Sequence, residues 1–391
     1  MKPALPRPTV LTAILACIGL CALTACAGGS AGANKAGAKV DRQVTLRLEM
    51  PDAGEPRGLF FAQAVARRSG GSVRVRIDVG RYSSGHAGSE LALARALEGG
   101  HEEIAYVASR AWASGGLPAF QALLAPFLIT TGAAGQRVAT GPIARRVLAS
   151  LPHSVVGLAL VPDEPRRVLA RYPPSSLAAF SGTRIQTVGN PRAAAAFAAL
   201  GAVPAKGLIT SGQIRQAIFS GSLDAVESSP SSILANAYST RATYLSAYAV
   251  FPKFASIVVA RATWQRLSPA QRTAVRAAAA DTVAAAGREL PAQQRTELAQ
   301  LCRAHVKITR ATRAALATLQ EASEPSLAGL VADPASAGVL TALYRLPGAG
   351  AQPLATPLPA ACRAGGAAAP AVRALLGALR NVARPHVKIA A

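Results

Sequence analysis

The stretch Val73-Arg74-Val75-Arg76-Ile77-Asp78-Val79 alternates apolar and charged side chains at every step, a period of two that sends one face of a strand into a core and the other toward water. Working outward from it, residues 58–68 have the pattern of a helix closed by Ser69-Gly70-Gly71, and before them Val44, Leu46 and Leu48 alternate with polar partners in a short opening strand. On the other side, residues 89–97 read as a helix that stops at Gly99-Gly100, followed by a short strand over 104–107. Strand, helix, strand, helix, strand in this order implies a parallel-type sheet with helices on its faces. The fold class is therefore α/β.

A second unit of the same kind follows. Residues 155–161 and 167–171 read as strands that cross between units; 183–188 and 223–227 are further strands, with helices over 192–200 and 213–219. Residues 244–251 and 256–260 read as returning strands. Ser268, Pro269 and Gln271 then form a helix start, with the serine as cap, the proline at the first helical position and the glutamine three residues after the cap. That helix runs toward Arg288, and more helix is expected over 292–304 and 312–331. Beyond Pro347 periodicity fades into Gly, Ala and Pro, with one further helix at 371–381. Two α/β units joined by crossing strands leave a cleft at their junction, where small ligands bind and hinged closure is the expected motion.

At the N-terminus Lys2 and Arg7 precede an uncharged stretch, residues 9–23. It is too short for a comfortable membrane span and is flanked as an export signal is. It ends Leu23-Thr24-Ala25-Cys26, then Ala27-Gly28-Gly29-Ser30. A leucine, two small residues and a cysteine make a lipobox: the Cys26 thiolate accepts a diacylglycerol, and the small residues admit the peptidase. The alternative is an ordinary signal peptide with an incidental cysteine. Residues 1–25 are thus expected to be removed, and 26–42 to form a flexible tether from the lipid at the outer face of the cell membrane. Of the five cysteines, Cys302 and Cys362 remain in the mature fold, where an exocytoplasmic compartment permits a disulfide between them.

Lys+Arg number 42 against 19 Asp+Glu, a net charge of +23. Such a balance can mark a nucleic-acid or anionic-surface partner. Here the cations are scattered and no basic stripe is interleaved with aromatics, so no nucleic-acid partner is expected. The histidines His86, His101, His153, His305 and His386 stand apart, without metal-ligand spacing. There is no glycine-rich phosphate loop and no Gly-x-Ser-x-Gly elbow. An enzyme, a metal and a cofactor are all unexpected from this composition.

From residue 43 to about 346 the order of landmarks resembles the extracytoplasmic solute receptors of TRAP transporters, the DctP-like family. The glycine-rich turn over 80–90 and the segment Leu124-Ala125-Pro126-Phe127-Leu128-Ile129 each match one of its features. So do Ser176 to Gly182 followed by Thr183-Arg184-Ile185-Gln186-Thr187, residues 197–204, residues 218–224, and residues 264–271. The resemblance implies a two-lobed, periplasmic-binding-protein-like fold with a hinge cleft and long C-terminal helices. It also implies a monomer that hands its ligand to separate membrane permease subunits. Lobe I would take residues 43–162 plus about 250–290, lobe II 163–249 plus about 291–346, and 347–391 would be a low-complexity tail.

In that family a signature arginine clamps the ligand carboxylate through its planar fork, and this sequence has Gln186 there. Arg166 matches a second, assisting arginine, or else makes an inter-strand salt bridge. Residues 224–229 replace the usual Asp-Gly-x-Glu-Asn-Pro, so the ligand-binding turn falls on Glu227, Ser228 and Ser229. Arg184 is either a replacement charge or a solvated surface arginine. Asn190 is either a ligand donor or a turn residue between Gly189 and Pro191. Tyr106 and Tyr82 are candidate cleft aromatics, with ordinary packing as the other role for each. The expected ligand is a small organic acid or a related small molecule. A receptor for a sensor kinase, or a degenerate surface protein without transport function, are the alternatives to a transport role.

Overall fold

The structure is a computed structural model that describes residues 42–51, 55–82, 88–187, 190–208, 210–350 and 362. The signal segment with Cys26, the tether up to residue 41 and the 371–381 helix lie outside the described residues. The strands are β1 (Val44–Met50), β2 (Val73–Val79), β3 (Ile104–Ala108), β4 (Val155–Ala170), β5 (Arg184–Gln186), β6 (Val203–Pro204), β7 (Ala225–Ser228), β8 (Tyr244–Ser246), β9 (Phe251–Ala260) and β10 (Lys307–Thr309).

These strands hydrogen-bond in the order β2-β1-β3-β9-β4-β7-β5-β6, with β8 on β4 and β10 on β8. The first half runs from β2 to the opening of β4. There β1 and β2 are parallel, Val44 beside Val73 through Met50 beside Val79, and β9 lies antiparallel to both β3 and β4. The second half is carried by the end of β4, which pairs with β7 on one side and β8 on the other, with β5 parallel to β7 and to β6.

The sequence reading divides 155–171 into two strands, but the chain forms one strand of 16 residues, β4. Register shifts between Gly157 and Ala159 and again between Asp163 and Arg166 keep it paired. The second shift contains Pro165, which has no N–H to give the ladder; a bulge accommodates it and re-aims the side chains that follow. Helix 269–303 is likewise continuous where a break was expected, with Pro291 inside it. Its first part packs Val275, Ala279 and Val283 against Phe61, Val65 and Trp264 of the first lobe. Its last part sets Leu298 and Leu301 among Ile214, Ile218 and Leu245 of the second. A helix anchored in two cores at once tolerates an interior proline that would break an isolated one.

The other faces are filled separately. Trp112, Phe120, Leu93 and Leu97 form a core with Leu340 and Leu343, so the helix Pro334–Tyr344 packs on the first lobe. The expected division had assigned it to the second. Phe180, Phe197 and Phe251 meet Leu319 in the second lobe. The helical run expected over 312–331 is interrupted: Arg313–Ser323 is followed by a tighter turn, Glu324–Leu327, containing Pro325, and then by Ala328–Ala332. Short helices over Ser109–Ser114, Pro118–Ala122, Gly132–Thr140 and Pro142–Ala149 are additions to the sequence reading. Cys302 and Cys362, 60 positions apart in sequence, are joined by a disulfide, with their Cα atoms 5.4 Å apart, which ties Cys362 to the end of the long helix.

Candidate functional site

A cleft opens where β4 and β9 pass from one half of the sheet to the other. From the first lobe come Ala108, Ser109 and Arg110 at the start of the Ser109–Ser114 helix, together with Leu123 and Leu124. The second lobe contributes Thr187, Asn190 and Ala193, and the crossing strands supply Arg166, Glu227 of neighbouring β7, Phe251, Pro252, Lys253 and Phe254. The space is about 490 Å³ when the open solvent at its mouth is included, and its enclosed interior has room for about one water.

The bulge in β4 explains which side chains reach the cleft. After the shift Arg166 pairs in register with Phe251, and both line the cleft. Arg166 Nε and Nη2 donate to the Glu227 carboxylate, Nη2 at 3.2 Å from Oε2, and Nη2 also reaches the Glu227 carbonyl at 2.8 Å. Both side chains are nearly fully buried, at 7% and 2% exposed. The next residue, Arg167, points the other way along the pleat and donates to the carbonyls of Ser246 and Ala247. Burial lowers its pKa to about 10, and Glu164 acts against that shift.

Behind the cleft lies a second set of charges. Lys253 Nζ is 2.7 Å from Asp163 Oδ2, and Arg57 is 3.4 Å from Asp163 and 3.0 Å from Glu55. Burial pushes the Asp163 carboxyl up, but Lys253 and then Arg57 outweigh it and hold the group below its ordinary value. Burial also works against the Arg57 cation, yet Asp163, Tyr106 and Glu55 raise its pKa overall. Glu55 and Glu164 are both raised, first by burial and then by the Asp163 charge. Glu164 accepts from the Ser231 N–H at 3.0 Å and from Gln293 Nε2 at 3.2 Å. On the other rim, Arg110 Nε and Nη2 grip Glu90 at 2.7 and 2.5 Å.

Of the residues singled out in the sequence, Arg166, Asn190 and Glu227 meet in the cleft. Asn190 lines the cleft, and its Oδ1 also caps the helix Pro191–Ala199 by accepting from Arg192 N at 2.9 Å. Gln186 does not line the cleft. Thr187 does, and strand alternation then turns Gln186 to the opposite side, where its Nε2 donates to the Leu208 carbonyl at 3.2 Å. Gln186 Oε1 is buried without a partner among the described residues.

Arg184 shares that side and sits at the exposed start of β5, with Nε 2.8 Å and Nη2 2.9 Å from Asp224. The expectation that it replaces the missing clamp is therefore corrected: its charge is already neutralised, on the surface. Ser228 pairs across from Arg167 in the sheet, and Ser229 Oγ bonds the hydroxyls of Ser231 and Ser232; neither lines the cleft. Tyr106 is buried beside the Arg57 cluster with its hydroxyl unpartnered among the described residues. Burial and the nearby Glu55 keep that phenol protonated. Tyr82 lies at the far edge, 3.4 Å from Glu102. Sequence reasoning missed Ser109, Arg110, Thr187 and Lys253. Lys253 alone carried a signal, as the one charge in the otherwise apolar Phe251–Ala260.

Among the described residues no group of His, Cys, Asp and Glu could hold a metal ion, and no helix is long and apolar enough to cross a membrane. The family model of the bacterial extracellular solute-binding proteins, family 7, matches residues 57–333. No curated protein matches the chain. Several solved structures share the fold. A TRAP periplasmic solute-binding protein from Ochrobactrum anthropi, with a C-terminus bound in the ligand-binding pocket, superposes with a TM-score of 0.68 at 21% identity, over 78% of this chain and 97% of that one. One from Xanthobacter autotrophicus with bound β-D-galacturonate gives 0.66 at 19%, over 76% and 98%. A Bordetella pertussis extracytoplasmic solute receptor binding pyroglutamic acid also gives 0.66 at 19%, over 77% and 99%.

The charge cluster behind the cleft makes a stability prediction. Arg57→Met removes one partner from a buried network and leaves Glu55 and Asp163 sharing Lys253. Breaking such a pair typically costs about 3–5 kcal/mol. Glu55 is already raised above its ordinary 4.5, and loss of Arg57 raises it further. The variant's stability is then lost as pH rises through that folded-state value and restored as pH falls toward the unfolded one. Urea unfolding at pH 7 and pH 5 should show the deficit shrinking at the lower pH. An equal deficit at both would mean that the carboxylates are not held by Arg57.

Proposed function

The chain belongs to family 7 of the bacterial extracellular solute-binding proteins, which are receptors rather than enzymes, and from that premise we propose that it captures a small carboxylate-bearing solute for a TRAP-type membrane transporter. The observation that carries this reading is the convergence of Arg166, Asn190 and Thr187 with Arg110 and Lys253 on one cleft between two lobes. Receptors of the same fold have been found with galacturonate and pyroglutamic acid, and both are small acids. Arginine suits this task because its planar fork presents several donors to a carboxylate. Phe251 and Phe254 give the apolar wall against which a carbon skeleton packs. The narrow interior means that a six-carbon acid enters only when the lobes part, and β4 and β9 are the strands about which they would move. After cleavage at the lipobox, Cys26 would hold the receptor at the outer membrane face by its lipid, beside the permease subunits that accept the solute.

Calorimetric titration with a panel of small carboxylic acids tests the solute reading. Loss of a charge-assisted hydrogen bond forfeits about 1.5–3 kcal/mol, roughly ten- to a hundredfold in affinity. Arg166→Ala, checked for folding by circular dichroism, should show at least that loss toward whichever acid binds the wild type. Unchanged affinity would remove Arg166 from the site. For the anchor, Cys26→Ala should move the protein out of the membrane fraction or leave it as an unprocessed precursor. A variant still processed and membrane-bound would contradict the lipid attachment.

A further inference from the structure

Each cation that lines the cleft already has a carboxylate of its own. Arg110 is gripped by Glu90, Arg166 by Glu227 and Lys253 by Asp163. The balance persists one layer back, where Arg57 meets Glu55 and Arg167 feels Glu164 as its nearby opposite charge. The pairs also act on one another, since Arg110 is influenced by Glu227 and Asp163 as well as by Glu90. The side chain at the clamp position is the uncharged Gln186, and it is turned toward the Leu208 carbonyl. Among the described residues no surplus positive charge is left in the cleft to receive a free anion.

Two features still offer the cleft to a polar ligand. In both Arg110 and Arg166 the carboxylate is held by Nε and Nη2, so that Nη1 makes no hydrogen bond to the described residues. Ser109, 2% exposed, lines the cleft with a hydroxyl that has no partner among the described residues. A buried hydroxyl without a partner is costly, and a ligand oxygen would satisfy it.

A simple monoanion on these Nη1 edges would bring a lone negative charge into a desolvated site beside Glu227, where nothing offsets it. A solute carrying its own positive group would not. We propose that the cleft selects a solute of no net charge, an amino-acid-like zwitterion, whose carboxylate takes the Nη1 edges of Arg110 and Arg166 with the Ser109 hydroxyl, and whose cationic group lies against Glu227. This rests on the solute-receptor reading and narrows its ligand from acids in general to acids that carry an internal cation.

The test is calorimetric titration with 2-amino and 2-hydroxy acids matched in carbon skeleton, together with galacturonate. The wild type should bind the amino member of at least one pair ten times more tightly than its hydroxy partner. Glu227→Gln frees the charge of Arg166 and removes the partner of the ammonium, so the order within the pair should invert. A merely structural role for Glu227 would weaken both members alike. Glu90→Gln, which sits behind Arg110 and outside the cleft lining, should shift the preference the same way even where Glu227→Gln fails to fold. A hydroxy acid or galacturonate bound as tightly as any amino acid by the wild type overturns the zwitterion proposal and leaves the receptor reading standing. A panel on which nothing binds overturns both.

Discussion

The bulged crossing of β4 past β9 is the constraint on which the rest of this molecule depends. One strand of 16 residues serves the first half of the sheet with its beginning and the second half with its end. Pro165 prevents a regular ladder at the change-over, and the resulting bulge fixes which way Asp163, Arg166 and Arg167 point. Asp163 turns to Lys253 and Arg57, Arg166 to the cleft and Glu227, and Arg167 to the backbone of β8. A regular strand through this point would turn the side chains after Asp163 to the opposite face of the sheet.

The same geometry explains why so many charges are tolerated at the centre of an Ala-rich protein. Each buried cation has a carboxylate or backbone carbonyls within hydrogen-bond reach, and the expense of desolvation is shared through a network rather than borne singly. Such a network adds little net stability over apolar packing, but it holds side chains in one orientation. The arginines that line the cleft are thereby presented with one edge committed to the protein and one edge open, a preorganised surface that loses little side-chain freedom on binding. Phe127 contributes at the seam: a bulky residue at φ 60, it donates its N–H to the Val250 carbonyl at 2.7 Å and buries its ring beside Tyr248. Strain of this kind persists only where the surroundings over-determine it, here in the short segment between Leu124 of the cleft and the second lobe's core.

Much of the fold was legible because periodicity survives in the sequence. The alternation of β1 and β2, the capped start at Ser268 and the apolar β9 all follow from local rules. What the sequence hid was continuity. Pro162 and Pro165 read as a break between two strands, and Pro291 as a break between two helices, because local rules know nothing of the tertiary contacts that carry a chain through a proline. The site was legible only in part for a related reason. Arg166, Asn190 and Glu227, singled out from landmarks, do line the cleft, but the side on which Gln186 and Arg184 lie depends on where a three-residue strand begins, and a shift of one residue exchanges Gln186 for Thr187. Arg110 carried no signal at all, since its place in the cleft comes from a six-residue helix whose position is set by packing of Trp112 and Phe120.

The central claim is that a small solute is held between the lobes on the open edges of Arg110 and Arg166. A crystal structure of the receptor soaked or co-crystallised with its tightest-binding solute tests it most directly. The predicted result is a solute carboxylate within hydrogen-bond distance of Arg166 Nη1, with Ser109 and Asn190 at its flanks and the Arg166–Glu227 and Arg110–Glu90 pairs still in place. A solute seated elsewhere, or one that displaces Glu227 to take the whole face of Arg166, would contradict it.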